Sequence, residues 1–65
     1  SQLSAWEKAL AGKPVEATFR RMVEEGKPAK DIVAEVTDIN KYKDGIIARR
    51  TAYDRLKKLG YKTDV

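Results

Sequence analysis

The sequence predicts an all-α fold, a small bundle of three or four short helices, and three observations carry that expectation. Apolar residues recur at helical spacing, three and four positions apart, in separate stretches of the chain. The triplet Gly-Lys-Pro occurs twice, at Gly12-Lys13-Pro14 and Gly26-Lys27-Pro28. Gly suits the left-handed position just past a helix, and Pro suits the first turn of the next one. Finally, no stretch alternates apolar and polar residues for long, although Ile46-Ile47 and Tyr61-Lys62-Thr63 are candidates for short extended pieces.

The first helix is expected from Leu3 to Ala11, with Ser4 or Ser1 as its N-cap and Leu3, Trp6 and Leu10 on one stripe. The second, Pro14 to Glu25, gathers Val15, Phe19, Met22 and Val23 on one face and turns Arg20, Arg21, Glu24 and Glu25 outward. The third, Pro28 to Val36, offers Ile32, Val33 and Val36 for burial, and at this length tertiary packing must hold it. Residues Thr37 to Gly45 are polar and broken by Asn40 and Asp44-Gly45, which predicts a loop with an irregular turn around Ile39 and Tyr42. The last helix, Ala48 to Leu59, collects Ala52, Tyr53, Leu56 and Leu59 on one side and Arg50, Thr51, Asp54, Lys57 and Lys58 on the other. Trp6, Phe19, Val23, Ile32, Val36, Tyr53 and Leu56 are the expected core.

At 65 residues, the chain is expected to form one domain over residues 1–65. A domain of this size buries only about 60% of the surface its unfolded chain exposes, so it depends on one well-packed core or a partner. With no Cys and no His there is no disulfide framework, no thiolate or imidazole metal site, and no Cys nucleophile or His base. The neighbouring carboxylates Glu24 and Glu25 diverge by 100° on a helix and have no phosphate-binding Gly loop beside them, so no enzyme activity and no cofactor is expected. Apolar runs fall far short of the roughly 20 residues of a membrane helix, and no secretory signal pattern opens the chain. The expectation is an intracellular protein (cytoplasmic, nucleoid-associated or nuclear), with the start at Ser1 read as that of a piece of a longer one.

Charge is unevenly placed. The whole chain carries +4, but from Lys41 to Lys62 eight basic residues (Lys41, Lys43, Arg49, Arg50, Arg55, Lys57, Lys58, Lys62) face only Asp44 and Asp54, a local +6 against −2 elsewhere. Such a segment is either a solvated helix face or a surface for a polyanion.

The stretch from Ile47 to Tyr61, with Ala48-Arg49-Arg50-Thr51-Ala52-Tyr53 at its start and Leu56-Lys57-Lys58-Leu59-Gly60-Tyr61 at its end, resembles the recognition helix of helix-turn-helix DNA-binding domains. The preceding Phe19-to-Val36 segment, an apolar helix ending at Gly26 followed by a short helix with Ile32-Val33-Ala34-Glu35, is similar to the helix pair those domains place before it. The resemblance covers Phe19 to Tyr61 and fits homeodomain-like domains of transcription regulators and of phage or mobile-element proteins. Two departures stand out. Eleven residues separate Val36 from Ala48, where the family turn has about three or four, and Ala48 occupies the position that Ser or Thr commonly caps.

The resemblance implies double-stranded DNA as the partner, with a parent chain or a second copy as further partners. Its chemistry is direct: Arg makes bidentate contacts with guanine, Thr meets a thymine methyl or a phosphate, and clustered Lys and Arg release counterions from the phosphate backbone. Recognition helices read bases mostly from their N-terminal half. That half here holds Arg49, Arg50, Thr51 and Asp54, while Lys57, Lys58 and Lys62 follow as phosphate contacts. Lys41 and Lys43, flanking Tyr42, would serve as a short basic arm.

Each residue has a structural alternative. Arg49 falls near the buried side of the wheel and would lie along the bundle or pair with Glu24, Glu25 or Asp31. Tyr53 is expected in the core with its hydroxyl at the rim, and Lys57 and Lys58 also suit the negative end of a helix dipole. The competing function class is a helical protein-interaction domain whose basic face docks an acidic partner. RNA binding ranks third, because Trp6, Phe19 and Tyr53 are expected to be buried rather than to form a stacking platform.

Overall fold

The computed structural model describes residue 8 and residues 10–62. Among them are three α-helices and no strand: α1, Pro14–Glu24; α2, Ala29–Val36; and α3, Arg49–Lys58. Lys8 and Leu10 are also helical. The expected caps Ser1 and Ser4, Leu3 of the expected first stripe, the expected core residue Trp6, and Thr63 of the expected extended piece lie outside the described residues.

Local chemistry explains the boundaries. Pro14 is the first residue of α1, preceded by Lys13 in an extended conformation (φ −84°, ψ 145°). Past the other end, Gly26 takes φ 73°; its amide donates to Val23 O at 3.0 Å, and Lys27 N donates to Met22 O at 3.0 Å. This paired closure needs a left-handed residue between its two bonds, which is why Gly ends the helix. The same closure recurs at α3, where Gly60 has φ 94°, Gly60 N bonds Lys57 O and Tyr61 N bonds Leu56 O, both at 3.0 Å. Pro28 departs slightly from expectation. It precedes α2 as an extended cap rather than opening it, and its carbonyl accepts the first helical bonds from Asp31 N and Ile32 N.

α2 lies in the middle, packed on both α1 and α3. The buried core consists of Leu10, Val15, Phe19, Ile32, Val33, Val36, Ile47, Ala52 and Leu56. Each large apolar side chain fully withdrawn from water contributes roughly 1.5–3 kcal/mol, which holds an eight-residue helix that would not persist alone. Val23 and Tyr53, expected inside, are half-buried on the rim. Leu59, the C-cap of α3, is 57% exposed and borders a groove with Phe19 and Val23. Ile46-Ile47 forms no strand; instead Ile47 is a core residue whose amide donates to Val36 O at 2.9 Å.

The connection between α2 and α3 is itself folded. Asp38 accepts the Asn40 amide on its side chain (2.9 Å) and the Lys41 and Tyr42 amides on its carbonyl (both 3.1 Å), closing one irregular turn. Ile39, at the tip of that turn, is 68% exposed. The Tyr42 hydroxyl donates to Glu35 Oε2 at 2.7 Å and lies 3.0 Å from Thr18 Oγ1, so the connection is tied to both α2 and α1. Lys13 Nζ adds a tie to Asp44 O at 2.8 Å.

Candidate nucleic-acid interface

α3 has two faces of different character. Its inner face consists of Ala52, Arg55 and Leu56, all buried. Its outer face carries Arg50, Asp54, Lys57 and Lys58, all exposed, with Thr51 half-buried beside them. Arg50 and Lys57 are two helical turns apart, about 10 Å along the axis, against a major groove about 12 Å wide.

Arg49, on the helical wheel near the buried side, is exposed, which leaves aside the alternative that it lies along the bundle. It is the first residue of α3, one turn before Tyr53, and its guanidinium lies over the half-buried tyrosine ring at 5.7 Å from the centroid. Among the described residues it forms no ion pair with Glu24, Glu25 or Asp31. Arg50 and Lys58 stand one turn either side of Asp54, the spacing of a helical ion pair, yet neither closes on it.

The remaining predicted residues are dispersed. Lys43 is exposed on the connection, and Lys62 is exposed beyond Gly60. Lys41 is also exposed but committed, with its ammonium 2.8 Å from Glu35 Oε1. The hydrogen bond from Lys41, followed by that from Tyr42, holds the Glu35 carboxyl below its ordinary range. The same bond raises Lys41, while burial raises the Tyr42 hydroxyl.

Arg55 was counted with the basic segment, and the structure places it elsewhere. It is 6% exposed and grips Glu16 of α1, itself 6% exposed, through Nη1–Oε1 and Nη2–Oε2 contacts of 2.8 and 2.7 Å. Its guanidinium also stacks over Phe19, 4.1 Å from the ring centroid. Arg20 donates to the same carboxylate, Nε–Oε2 2.9 Å. Burial pushes the Glu16 carboxyl up, but the hydrogen bonds from Arg55 and Arg20 outweigh it and leave the group below its ordinary range. A signal existed in the sequence: on the helical wheel Arg55 flanks Ala52, and Glu16 directly follows the core residue Val15. Of the eight basic residues between Lys41 and Lys62, six therefore stay open to solvent without an ion pair among the described residues: Lys43, Arg49, Arg50, Lys57, Lys58 and Lys62.

Two concavities border α3. One, about 340 Å³, is lined by Phe19, Val23 and Leu59 with Arg20, Glu24, Arg55 and Lys58. The other, about 250 Å³, lies between α2 and the start of α3. Among the described residues no group of three or more acidic side chains could hold a metal ion, and no helix is long and apolar enough to cross a membrane. Comparison of the chain with protein-family models, with curated proteins and with solved structures finds no significant match to any of them.

Proposed function

We propose that this protein binds double-stranded DNA through the outer face of α3, as a small regulator or as the DNA-reading part of a larger phage or mobile-element protein. The observation that carries the reading is the division of α3. One face is locked into the fold by Leu56 and by the Arg55–Glu16 pair, while Arg49, Arg50, Lys57 and Lys58 project from the rest without ion-pair partners among the described residues. Arg49 and Arg50 open the helix with no acidic residue in its first turn. Cations there oppose the helix dipole, a local cost that an anionic partner would offset. In this reading Arg50 and Thr51 reach base edges, Lys57, Lys58 and Lys62 meet phosphates, and Lys43 extends the basic surface.

Fluorescence anisotropy with duplex DNA at two salt concentrations tests it. Arg50→Ala is expected to weaken a preferred site by about 1–3 kcal/mol, whereas Lys58→Ala weakens all sequences alike and lowers the salt slope by about one. Unchanged DNA affinity in both folded variants removes the proposal.

One observation favours the alternative of an acidic protein partner. The groove of Phe19, Val23 and Leu59 sets apolar surface beside Lys58, which suits a helix bearing both apolar and acidic side chains. Binding to such a peptide that survives salt, without DNA binding, would select it.

A further inference from the structure

The cleft between α2 and the start of α3 has a chemistry distinct from the open basic face. Its lining is Lys30, Val33, Ala34 and Thr37 of α2 and its end, together with Arg49 and Tyr53 of α3. Lys30 and Arg49 are the two charged residues in that lining, neither has an ion-pair partner among the described residues, and no carboxylate shares the space. The Thr37 hydroxyl spends its proton on Val33 O at 2.7 Å. The cationic donors that line the cleft are therefore Lys30 and Arg49, with the Tyr53 hydroxyl unbonded among the described residues.

From this arrangement we infer that the Lys30–Arg49 cleft is a binding site for a phosphate monoester, carried by the end of a nucleic-acid strand or by a free phosphorylated small molecule. The charge balance favours a monoester over a single diester. A phosphodiester inside a strand carries one negative charge, whereas a monoester carries about −1.5 to −2 near neutral pH, the complement of two unpartnered cations. The shape agrees: a concavity of about 250 Å³ receives a terminal group, while an uninterrupted duplex backbone lies more readily on the exposed outer face. The guanidinium is also pre-placed. Its position 5.7 Å over the Tyr53 ring limits the rotamers that Arg49 would otherwise lose on binding. Val33 and Ala34 supply an apolar wall, which strengthens the ionic contacts by keeping water from one side.

The free small molecule would bind here whether or not α3 reads DNA; the strand-end source rests on the DNA reading. Backbone amide NMR with inorganic phosphate at neutral pH, against sodium chloride of equal ionic strength, measures the site by itself. Saturable shifts confined to Lys30, Thr37, Arg49 and Tyr53, abolished in a folded Lys30→Gln/Arg49→Gln double variant, are expected. Shifts that are absent, that follow chloride, or that spread evenly over Arg50, Lys57 and Lys58 overturn the inference. Anisotropy with one duplex bearing either a 5′-phosphate or a 5′-hydroxyl end then separates the sources. A preference of about tenfold for the phosphorylated end assigns the strand end. Equal affinity for both ends, with phosphate still saturating the cleft and competed by adenosine monophosphate, assigns the free small molecule. No DNA binding alongside a saturable phosphate response overturns the DNA reading and leaves the cleft standing.

Discussion

Arg50 and Arg55 belong to one helix, yet they occupy opposite physical worlds. Arg55 is withdrawn from water, bonded at two points to Glu16 and stacked on Phe19, whereas Arg50 extends into solvent with no ion pair among the described residues. The difference teaches that charge in this segment meets two environments. Toward α1 it joins α3 to Glu16, and on the outer face it stands in solvent without an ion pair among the described residues. A buried ion pair is a poor source of net stability, because desolvating two charges takes back most of their attraction, but it restricts the geometries in which both groups are satisfied.

The comparison can be broken from its inner side first. Phe19→Ala removes the ring that both fills the core and faces the Arg55 guanidinium, and is expected to cost about 3–5 kcal/mol, enough to unfold a domain of this size in a thermal or denaturant melt. An almost unchanged melt would show that the ring is not a core element. Arg55→Ala should cost about 3 kcal/mol, toward the lower end for a broken buried pair because Arg20 still holds Glu16. The double replacement Glu16→Leu/Arg55→Met should recover most of that loss in the same melts. If the double variant is as unstable as the single one, the seam needs its ions and not merely its volume.

Acid provides a milder perturbation. Glu16 and Glu35 both have carboxyls lowered by folding, so their contribution is present above the unfolded-state value and is lost as pH falls through the folded one. The melting temperature should therefore hold from about pH 7 down to about pH 5 and decline below about pH 4. Glu16→Gln should flatten much of that decline. The smallest effect belongs to the outer face: Arg50→Ala should change stability by under about 0.5 kcal/mol while acting on DNA affinity. A large loss of stability there would mean that the two arginines are not divided as described.

Much of this fold was legible in the residues. Pro14, Gly26 and Gly60 mark helix ends by backbone chemistry that any sequence reveals, and the spacing of Val15, Phe19, Ile32, Val36 and Leu56 identifies the buried stripes. The Arg55–Glu16 pair was only half legible: the wheel sets Arg55 beside Ala52 and Glu16 follows Val15, but no local pattern joins residues 39 positions apart. Ile47 was hidden for a related reason: two residues ahead of α3, it has no periodicity to declare it buried, and the backbone bond to Val36 that holds it there is not local. For the outer face, the wheel placed Arg50, Asp54, Lys57 and Lys58 on the exposed side, where the structure has them. The Lys41–Glu35 ion pair was not legible, because Glu35 sits before a turn whose shape no local pattern specifies.

The start of α3 has no side-chain cap. Ala48 holds an extended conformation (φ −57°, ψ 146°) before the first turn and makes no side-chain bond to the amides there. An aspartate at this position would satisfy one of those amides and raise stability by about 1 kcal/mol. It would also set a negative charge beside Arg49 and Arg50, so Ala48→Asp should melt higher and hold DNA less tightly. If α3 binds DNA as proposed, position 48 sets fold stability against DNA affinity.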